Sequence, residues 1–315
     1  MDAIIYYFNE QEFVMEQLSL RPDELRLMAE KNVTCPFVGT AVATSHLPVF
    51  NEVTNPLARI EDVRSLGNSG DSGNSDLGDV LAFFASGNHA LMRGPDDRLG
   101  PKVPDGLFSL EFPGSQGSHP GHSGILQDDP EMLDSGVLNL ENFQRLARRA
   151  SDGVLKRTDV AKFIAENLHR DPHSKVFHAS VVALLGQDLG HVVATAGASL
   201  LEMLRGSQET SSGRRVEEKL TKLMGEDNLI GSSGEFGLLF AFLANRPGAK
   251  EVEGEPVLFL EDVRKMFVDK TFPDGWETWR KTRADWIKNT TALIVSSAKA
   301  YLALSDEQAA GRSAI

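Results

Sequence analysis

Apolar positions recur at helical spacing over residues 10 to 31, where Phe13, Leu18, Leu25 and Met28 are punctuated by Arg21-Pro22, and this predicts one or two helices leading to residue 35. Asn51 to Leu66 reads as a helix with a charged face, and Asp79 to Met92 as another. Between them, Gly67 to Asp76 is almost entirely Gly, Asn, Ser and Asp, the composition of a mobile loop. Residues 93–130 are dense in Gly, Pro and His without a sustained period, and read as a long loop of the kind that often carries function. Short helices are expected from Leu138 to Leu168 around a turn at Ser151-Asp152-Gly153. Val176 to Leu204 reads as an Ala-rich helical region, Glu235 to Leu243 as a compact apolar helix, and Glu277 to Leu304 as a long amphipathic helix bearing Trp279 and Trp286. The tail after Ser305 is expected to fray. Strand-like alternation is scarce, so the class is mainly α. Neither loop divides blocks of different composition and no internal repeat is found, so residues 1–315 read as a single domain with its core over about 10–304.

Charge narrows the partners. The chain carries 45 acidic against 32 basic side chains, a net charge of −13 that repels phosphate backbones and anionic membrane surfaces, so nucleic acid is not expected as a partner. The start, Met1-Asp2 followed by the apolar run Ala3 to Phe8 and then Glu10 and Glu12, lacks the basic opening and longer apolar stretch of a secretory signal. No window reaches the roughly 20 apolar residues of a membrane span. The expected location is cytoplasmic, or secreted if residue 1 is not the natural start. Asn32-Val33-Thr34 and Asn289-Thr290-Thr291 fit the glycosylation pattern, which is common by chance.

A single cysteine cannot close an internal disulfide, so it must pack, react or ligate. It stands in Thr34-Cys35-Pro36, followed by Phe37, Val38, Gly39 and a small-residue helix running to His46-Leu47-Pro48. Proline suits the first helical turn, which places Cys35 at or next to the N-cap. There the helix dipole and unpaired N–H groups favour thiolate over thiol, and a thiolate is what a haem iron takes from cysteine. The plainer alternative is a small buried hydrophobe, the commonest fate of a free cysteine.

Four blocks in order resemble the haem-thiolate peroxidase family, which includes fungal chloroperoxidase and the unspecific peroxygenases. Cys35-Pro36, Ala43 and Leu47-Pro48 reproduce the family's Cys-Pro frame, although the usual Asn-His-Gly-Tyr before Leu-Pro reads Thr44-Ser45-His46 with no Gly or Tyr. Gly136 to Phe143, running into Ser151-Asp152-Gly153-Val154-Leu155-Lys156-Arg157, resembles the segment in which a helix leads to Glu-His-Asp or Glu-Gly-Asp and then Ser-Leu-x-Arg, with Asp152, Leu155 and Arg157 in register. Gly234-Glu235-Phe236-Gly237-Leu238-Leu239-Phe240 is similar to the helix supplying the distal carboxylate in shorter members. Leu260 to Trp276, ending Thr271-Phe272-Pro273-Asp274-Gly275-Trp276, resembles the closing Arg-Leu-Pro-x-x-x-Gly-Trp segment.

The resemblance implies a mainly α, single-domain helical fold of the haem-thiolate peroxidase type with long irregular loops. It implies haem b as cofactor, with Cys35 as axial ligand to the iron and Pro36 beside it, and hydrogen peroxide and a small organic molecule as substrates. The thiolate favours O–O cleavage. Glu235 would be the distal acid–base, moving a proton from the inner to the outer oxygen of peroxide, and its neighbours Phe236, Leu238 and Leu239 should desolvate it and raise its pKa. A helix-start residue favoured by the dipole is the plainer reading of Glu235. Where the family has a Glu and a Ser that help hold Mg²⁺ or Mn²⁺ beside a haem propionate, this chain has Ala150 and Val154, so no such cation is expected. Asp152 would remain near the cofactor, and the propionate would be met by Arg148, Arg149 or Arg157, with Arg149 preferred because it flanks the vacated Glu position. The distal His of shorter members falls at Ser151, which cannot relay a proton as imidazole does.

Other chemistries find less support. Turns at Gly136 and Gly153 cannot be calcium-binding EF-hands, because Leu133, Arg148 and Ala150 would fill ligand positions. His119-Pro120-Gly121-His122 with Asp128 and Asp129 is short of ligands in a loop-like stretch. Gly-x-Gly-x-x-Gly after a strand, Walker and Cys-x-x-Cys-His motifs are absent. The alternative from a different class is a non-catalytic haem-binding sensor or carrier that lost the distal machinery.

Overall fold

The computed structural model describes residues 4–8, 11–15, 17–33, 35–52, 55–70, 73–86, 106–110, 137–170, 194–196, 198–199, 202, 229–249 and 251–313, and these are mainly helical. The N-terminal stretch departs from the expected helix. Strands β1 (Ile4–Phe8) and β2 (Gln11–Met15) pair antiparallel from Ile4 opposite Met15 to Phe8 opposite Gln11. Ile4-Ile5-Tyr6-Tyr7-Phe8 is a run of β-branched and aromatic residues, which outweighs the sparse helical spacing that follows it. Only the second half is helical. Helix α1 (Pro22–Asn32) opens with Pro22 in its first turn, and the Arg21 N–H donates to the Glu24 carboxylate at 2.8 Å.

Helix α2 (Pro36–Ala43) follows after a short break and packs against α1. The helix expected over 51–66 is instead a hairpin, β3 (Phe50–Glu52) with β4 (Asn55–Arg59), and only then helix α3 (Ile60–Asn68). Pro56 is the cause: it cannot sit inside a helix, but its carbonyl can still accept from the Leu110 N–H at 2.8 Å. Strand β5 (Leu107–Ser109) completes this sheet on β4, inside the stretch read as a long loop, whose remainder lies outside the described residues.

Helix α4 (Gly78–Ser86) crosses α3 closely, since a Cβ on Gly67 would stand 2.7 Å from the Gly78 Cα. The segment between them, expected to be mobile, is tied down around Asp76. The Gly78 N–H donates to Asn68 Oδ1 at 2.7 Å, the Asp76 N–H to the Lys281 carbonyl at 3.0 Å, and the Arg283 N–H to Asp76 Oδ1 at 2.7 Å.

Helix α5 (Leu140–Ala147), capped by Asn139 Oδ1 accepting from the Asn142 N–H, leads through the predicted turn at 151–153 into β6 (Val154–Lys156) and α6 (Arg157–Arg170). Of the helical region expected over 176–204, residues 194–196, 198–199 and 202 are described, and they are helical. Helix α7 (Leu229–Leu243) starts six residues before the expected Glu235 and is buried almost throughout. Strand β7 (Val257–Phe259) pairs antiparallel with β6 and runs into α8 (Leu260–Arg264), a π-helical turn at Lys265–Asp269, and a 3-10 turn at Trp276–Thr278.

The long last helix, α9 (Arg283–Ser313), starts after Trp279 and continues through Ser313 where fraying was expected. It packs on both α6 and α7. Trp286, fully buried, donates Nε1–H to the Gly234 carbonyl at 3.1 Å, and Gly237 lets the two helices close at Thr290. No described helix is long and apolar enough to cross a membrane.

Candidate functional site

Cys35 is the N-cap of α2, as the proline rule predicts: its backbone is extended, with φ −71° and ψ 118°, Pro36 takes the first helical position, and the Gly39 N–H closes the first turn on the Cys35 carbonyl at 2.8 Å. Eight residues cannot hold a helix in water by themselves, so α2 depends on tertiary packing. Thr40 Oγ1 donates to the Met266 carbonyl in the π turn at 3.1 Å, and Phe37 to Val42 are all buried.

Phe37 is the main anchor. Its ring meets Phe242 at 5.8 Å, Phe272 at 5.3 Å and Trp276 at 6.2 Å between centroids, each steeply inclined, while Phe272 stacks on Trp276 at 3.9 Å. Such edge-on pairs are favoured by the aromatic quadrupole. The His46 ring packs edge-on to the outer side of this group, against Phe272 and Trp276. The Lys281 ammonium lies 5.7 Å from the Phe242 ring centre and 5.2 Å from that of Trp276, and donates to the carbonyls of Ser69 at 2.6 Å and Trp279 at 3.1 Å. The cluster therefore joins the Cys-Pro block, the helix of the Gly-Glu block and the Phe-Pro-Asp-Gly-Trp block. The β6–β7 ladder, Leu155 opposite Leu258, sets the remaining block beside the strand that runs into the last one.

Glu235 is half-buried on α7, between buried Gly234 and Phe236. Phe242 is seven residues further, two turns on the same helix face and about 10 Å along the axis. Since Phe242 touches Phe37, that face of α7 runs toward the start of α2.

The thiol does not ionise as the dipole argument expects. Cys35 is only 7% exposed, and burial pushes its pKa from 9.0 up to about 12. The Val38 N–H works against this, the Glu235 charge adds to it, and the Phe37 N–H and the Lys270 ammonium also work against it, without restoring the ordinary value. In the protein alone Cys35 is a thiol. A sulfur in this position releases its proton only to a group that brings positive charge onto it. A buried, protonated thiol within the hydrophobic core is also what the plainer alternative, a small buried hydrophobe, requires.

The other expected residues are placed differently. The Arg149 guanidinium pairs with Glu166 of α6, which Arg145 also approaches at 3.7 Å. Asp152 stands on an exposed turn with φ 53°, where the Ser151 and Val154 backbones exchange hydrogen bonds at 3.0 Å. Arg157 donates to Asn289 Oδ1 at 3.2 Å, and Arg148 is exposed. His119 and His122 lie outside the described residues, among which no cluster of three or more His, Cys, Asp or Glu side chains forms.

Two residues near the site carry no mark in the sequence. Lys270 and Lys281 are both buried, and each reaches a segment more than two hundred positions away, Lys270 at Gly39 and Lys281 at Ser69. Comparison with protein-family models, with curated proteins and with solved structures finds no match for this chain.

Proposed function

We propose that the chain is a haem-thiolate oxidoreductase of the peroxidase or peroxygenase type, with Cys35 as axial ligand to haem b and Glu235 as the acid–base for hydrogen peroxide. The observation that carries this reading is Cys35 at a buried helix start that Phe37 holds against Phe242, on the same helix as Glu235 and two hundred positions away in sequence. When bound, the iron with its thiolate would supply O–O cleavage of peroxide. The chain's own contribution is proton handling. Cys35 would hold the iron as a thiolate, and the N–H groups of Phe37 and Val38 would ease the loss of its proton. The Glu235 carboxylate would serve as acid–base for hydrogen peroxide, accepting a proton from one oxygen and returning it to the other, which would leave as water. A small organic molecule is then oxidised or oxygenated.

The same reading assigns the propionate side to the turn between α5 and β6, near Asp152. Arg149 would have to exchange Glu166 for the propionate, and Ala150 and Val154 bring no oxygen for a divalent cation. A non-catalytic haem sensor or carrier is the second reading, favoured by Ser151 standing exposed where shorter family members have a distal His.

The visible spectrum of the purified, haem-supplemented protein tests the first part. The reduced carbon monoxide complex should carry the strongly red-shifted Soret band of thiolate ligation, and Cys35→Ala should abolish it. A histidine-type spectrum would refute the ligand assignment. Peroxide turnover with an aromatic donor then separates enzyme from sensor: Glu235→Gln should slow formation of the oxidant by roughly 10² to 10⁴ while leaving haem bound.

A further inference from the structure

We infer that the seam between α5 and α6 is a binding site for a phosphoryl group, held by Arg145, Arg170 and the side-chain amide of Asn142. None of these three residues enters the haem-thiolate reading above, and the inference stands apart from it.

The seam is basic in an acidic chain. Residues 140–170 carry seven Lys or Arg against four Asp or Glu, whereas the whole chain has a net charge of −13. The two helices run antiparallel here: Arg170, at the end of α6, reaches Asn142 near the start of α5, and Glu166, one turn back, meets Arg145 and Arg149 toward the other end of α5. Arg149 engages the Glu166 carboxylate in a hydrogen bond, and Arg145 stands further off at 3.7 Å with its side chain 23% exposed. Arg170 is exposed and makes no ion pair among the described residues. Its Nη2 donates instead to two neutral groups, Asn142 Oδ1 at 2.9 Å and Asn167 Oδ1 at 2.7 Å. Glu141, exposed beside Asn142, makes no ion pair among the described residues either. Three guanidiniums therefore share the one carboxylate of Glu166. The two that lack a close anion, Arg145 and Arg170, come from positions about one helical turn apart along the seam, roughly 5–6 Å.

Asn142 adds a donor between them. The residue is 6% exposed, and the orientation of its amide is fixed because a guanidinium only donates, so Oδ1 must face Arg170. That leaves Asn142 Nδ2 without an acceptor among the described residues. Asn167 is placed differently, since its own Nδ2 donates to the Phe163 carbonyl at 2.8 Å. An amide N–H left without an acceptor in so buried a residue costs free energy, which a ligand oxygen would recover. A phosphoryl dianion fits the rest: its charge offsets both guanidiniums, and its oxygens can accept from them and from Nδ2 together.

A network that only ties α5 to α6 is the competing explanation, and the experiment separates the two. Asn142→Asp still accepts from Arg170, so it keeps the tie, but it replaces the unclaimed N–H with a negative charge. Arg170→Gln removes one cation. Lys162→Gln removes an exposed cation of α6 that makes no ion pair among the described residues, and so controls for general attraction. Titration calorimetry of the full chain with inorganic phosphate and with methyl phosphate, at about pH 7.5 where a phosphate monoester is a dianion, reads the affinity at constant ionic strength set with chloride. The parent should bind at one saturable site. Asn142→Asp and Arg170→Gln should each weaken that binding by at least about tenfold, and Lys162→Gln should stay within about twofold. Tighter binding of methyl phosphate assigns the site to a phosphorylated molecule, and tighter binding of inorganic phosphate to the free ion. Should Arg170→Gln fail to fold, Asn142→Asp carries the same expectation. A parent with no saturable binding of either probe below about 10 mM, an Asn142→Asp variant that binds as the parent does, or equal losses in all three variants would overturn the inference and leave only the structural tie.

Discussion

Phe37→Ala tests whether the aromatic cluster fixes the start of α2 and so the position of Cys35. The ring is 6% exposed and makes inclined contacts with three others, Phe242, Phe272 and Trp276. Each such pair contributes about 0.5–1.5 kcal/mol beyond simple burial, and removing a buried Phe side chain costs about 3–5 kcal/mol when the surroundings cannot collapse into the void. Collapse is hindered here because Phe272 is already stacked on Trp276 at 3.9 Å. The expected loss is therefore about 4 kcal/mol, a large fraction of the roughly 5–15 kcal/mol that stabilises a typical domain. Phe37→Leu, which keeps most of the volume, should lose about 1.5 kcal/mol. Urea unfolding measures both as a lower midpoint at unchanged slope. A second readout addresses the site: the void opens two residues from Cys35, so reaction of its thiol with a disulfide reagent should speed up in the Ala variant. Leu27→Ala is the control, because Leu27 is 50% exposed and its truncation should stay within about 0.5 kcal/mol. A Phe37→Ala protein within about 1 kcal/mol of the parent, with Cys35 equally protected, would refute the anchoring argument.

Gly237→Ala places a methyl group on Thr290 at the α7–α9 crossing and should destabilise by about 3 kcal/mol, partly rescued by Thr290→Ala; thermal unfolding of the single and double variants checks this. Burial lowers the Lys281 pKa from 10.5 to about 8, so between those values the unfolded chain holds more proton and the parent gains stability as pH rises; Lys281→Met removes that gain, and urea midpoints at about pH 7.5 and 10 measure it. Because Cys35 starts as a thiol, ligation should release a proton and haem affinity should increase from about pH 6 to 9, whereas a flat profile would mean that Cys35 is not the ligand.

What could be read from the sequence followed from local rules. Pro36 fixes the α2 start and makes Cys35 its N-cap, and the Ser151-Asp152-Gly153 turn lies where its residue types require. What could not be read depended on distant partners. Gly67 to Asp76 has the composition of a free loop, yet Lys281, far along the chain, receives Asp76 on its carbonyl and grips Ser69 with its ammonium. Pro56 was the visible warning against a helix over 51–66, and its veto proved stronger than the apolar spacing around it. Lys270 illustrates the other limit, since nothing in Asp269-Lys270-Thr271 announces a left-handed residue after a π turn.

Cys35 shows how a correct local reading can give the wrong charge state. The helix-start rule holds for geometry, and a dipole of this kind favours an anion by about 0.3–1 kcal/mol, reaching about 2 kcal/mol in partly buried settings. The rise of the Cys35 pKa from 9.0 to about 12 corresponds to about 4 kcal/mol in the opposite direction. Burial wins, because Cys35 is only 7% exposed within the core that α2 packs into. The two effects are not equally legible in the sequence, since Pro36 next door sets the helix start while the residues that bury α2, such as Phe242, Met266 and Phe272, lie far along the chain.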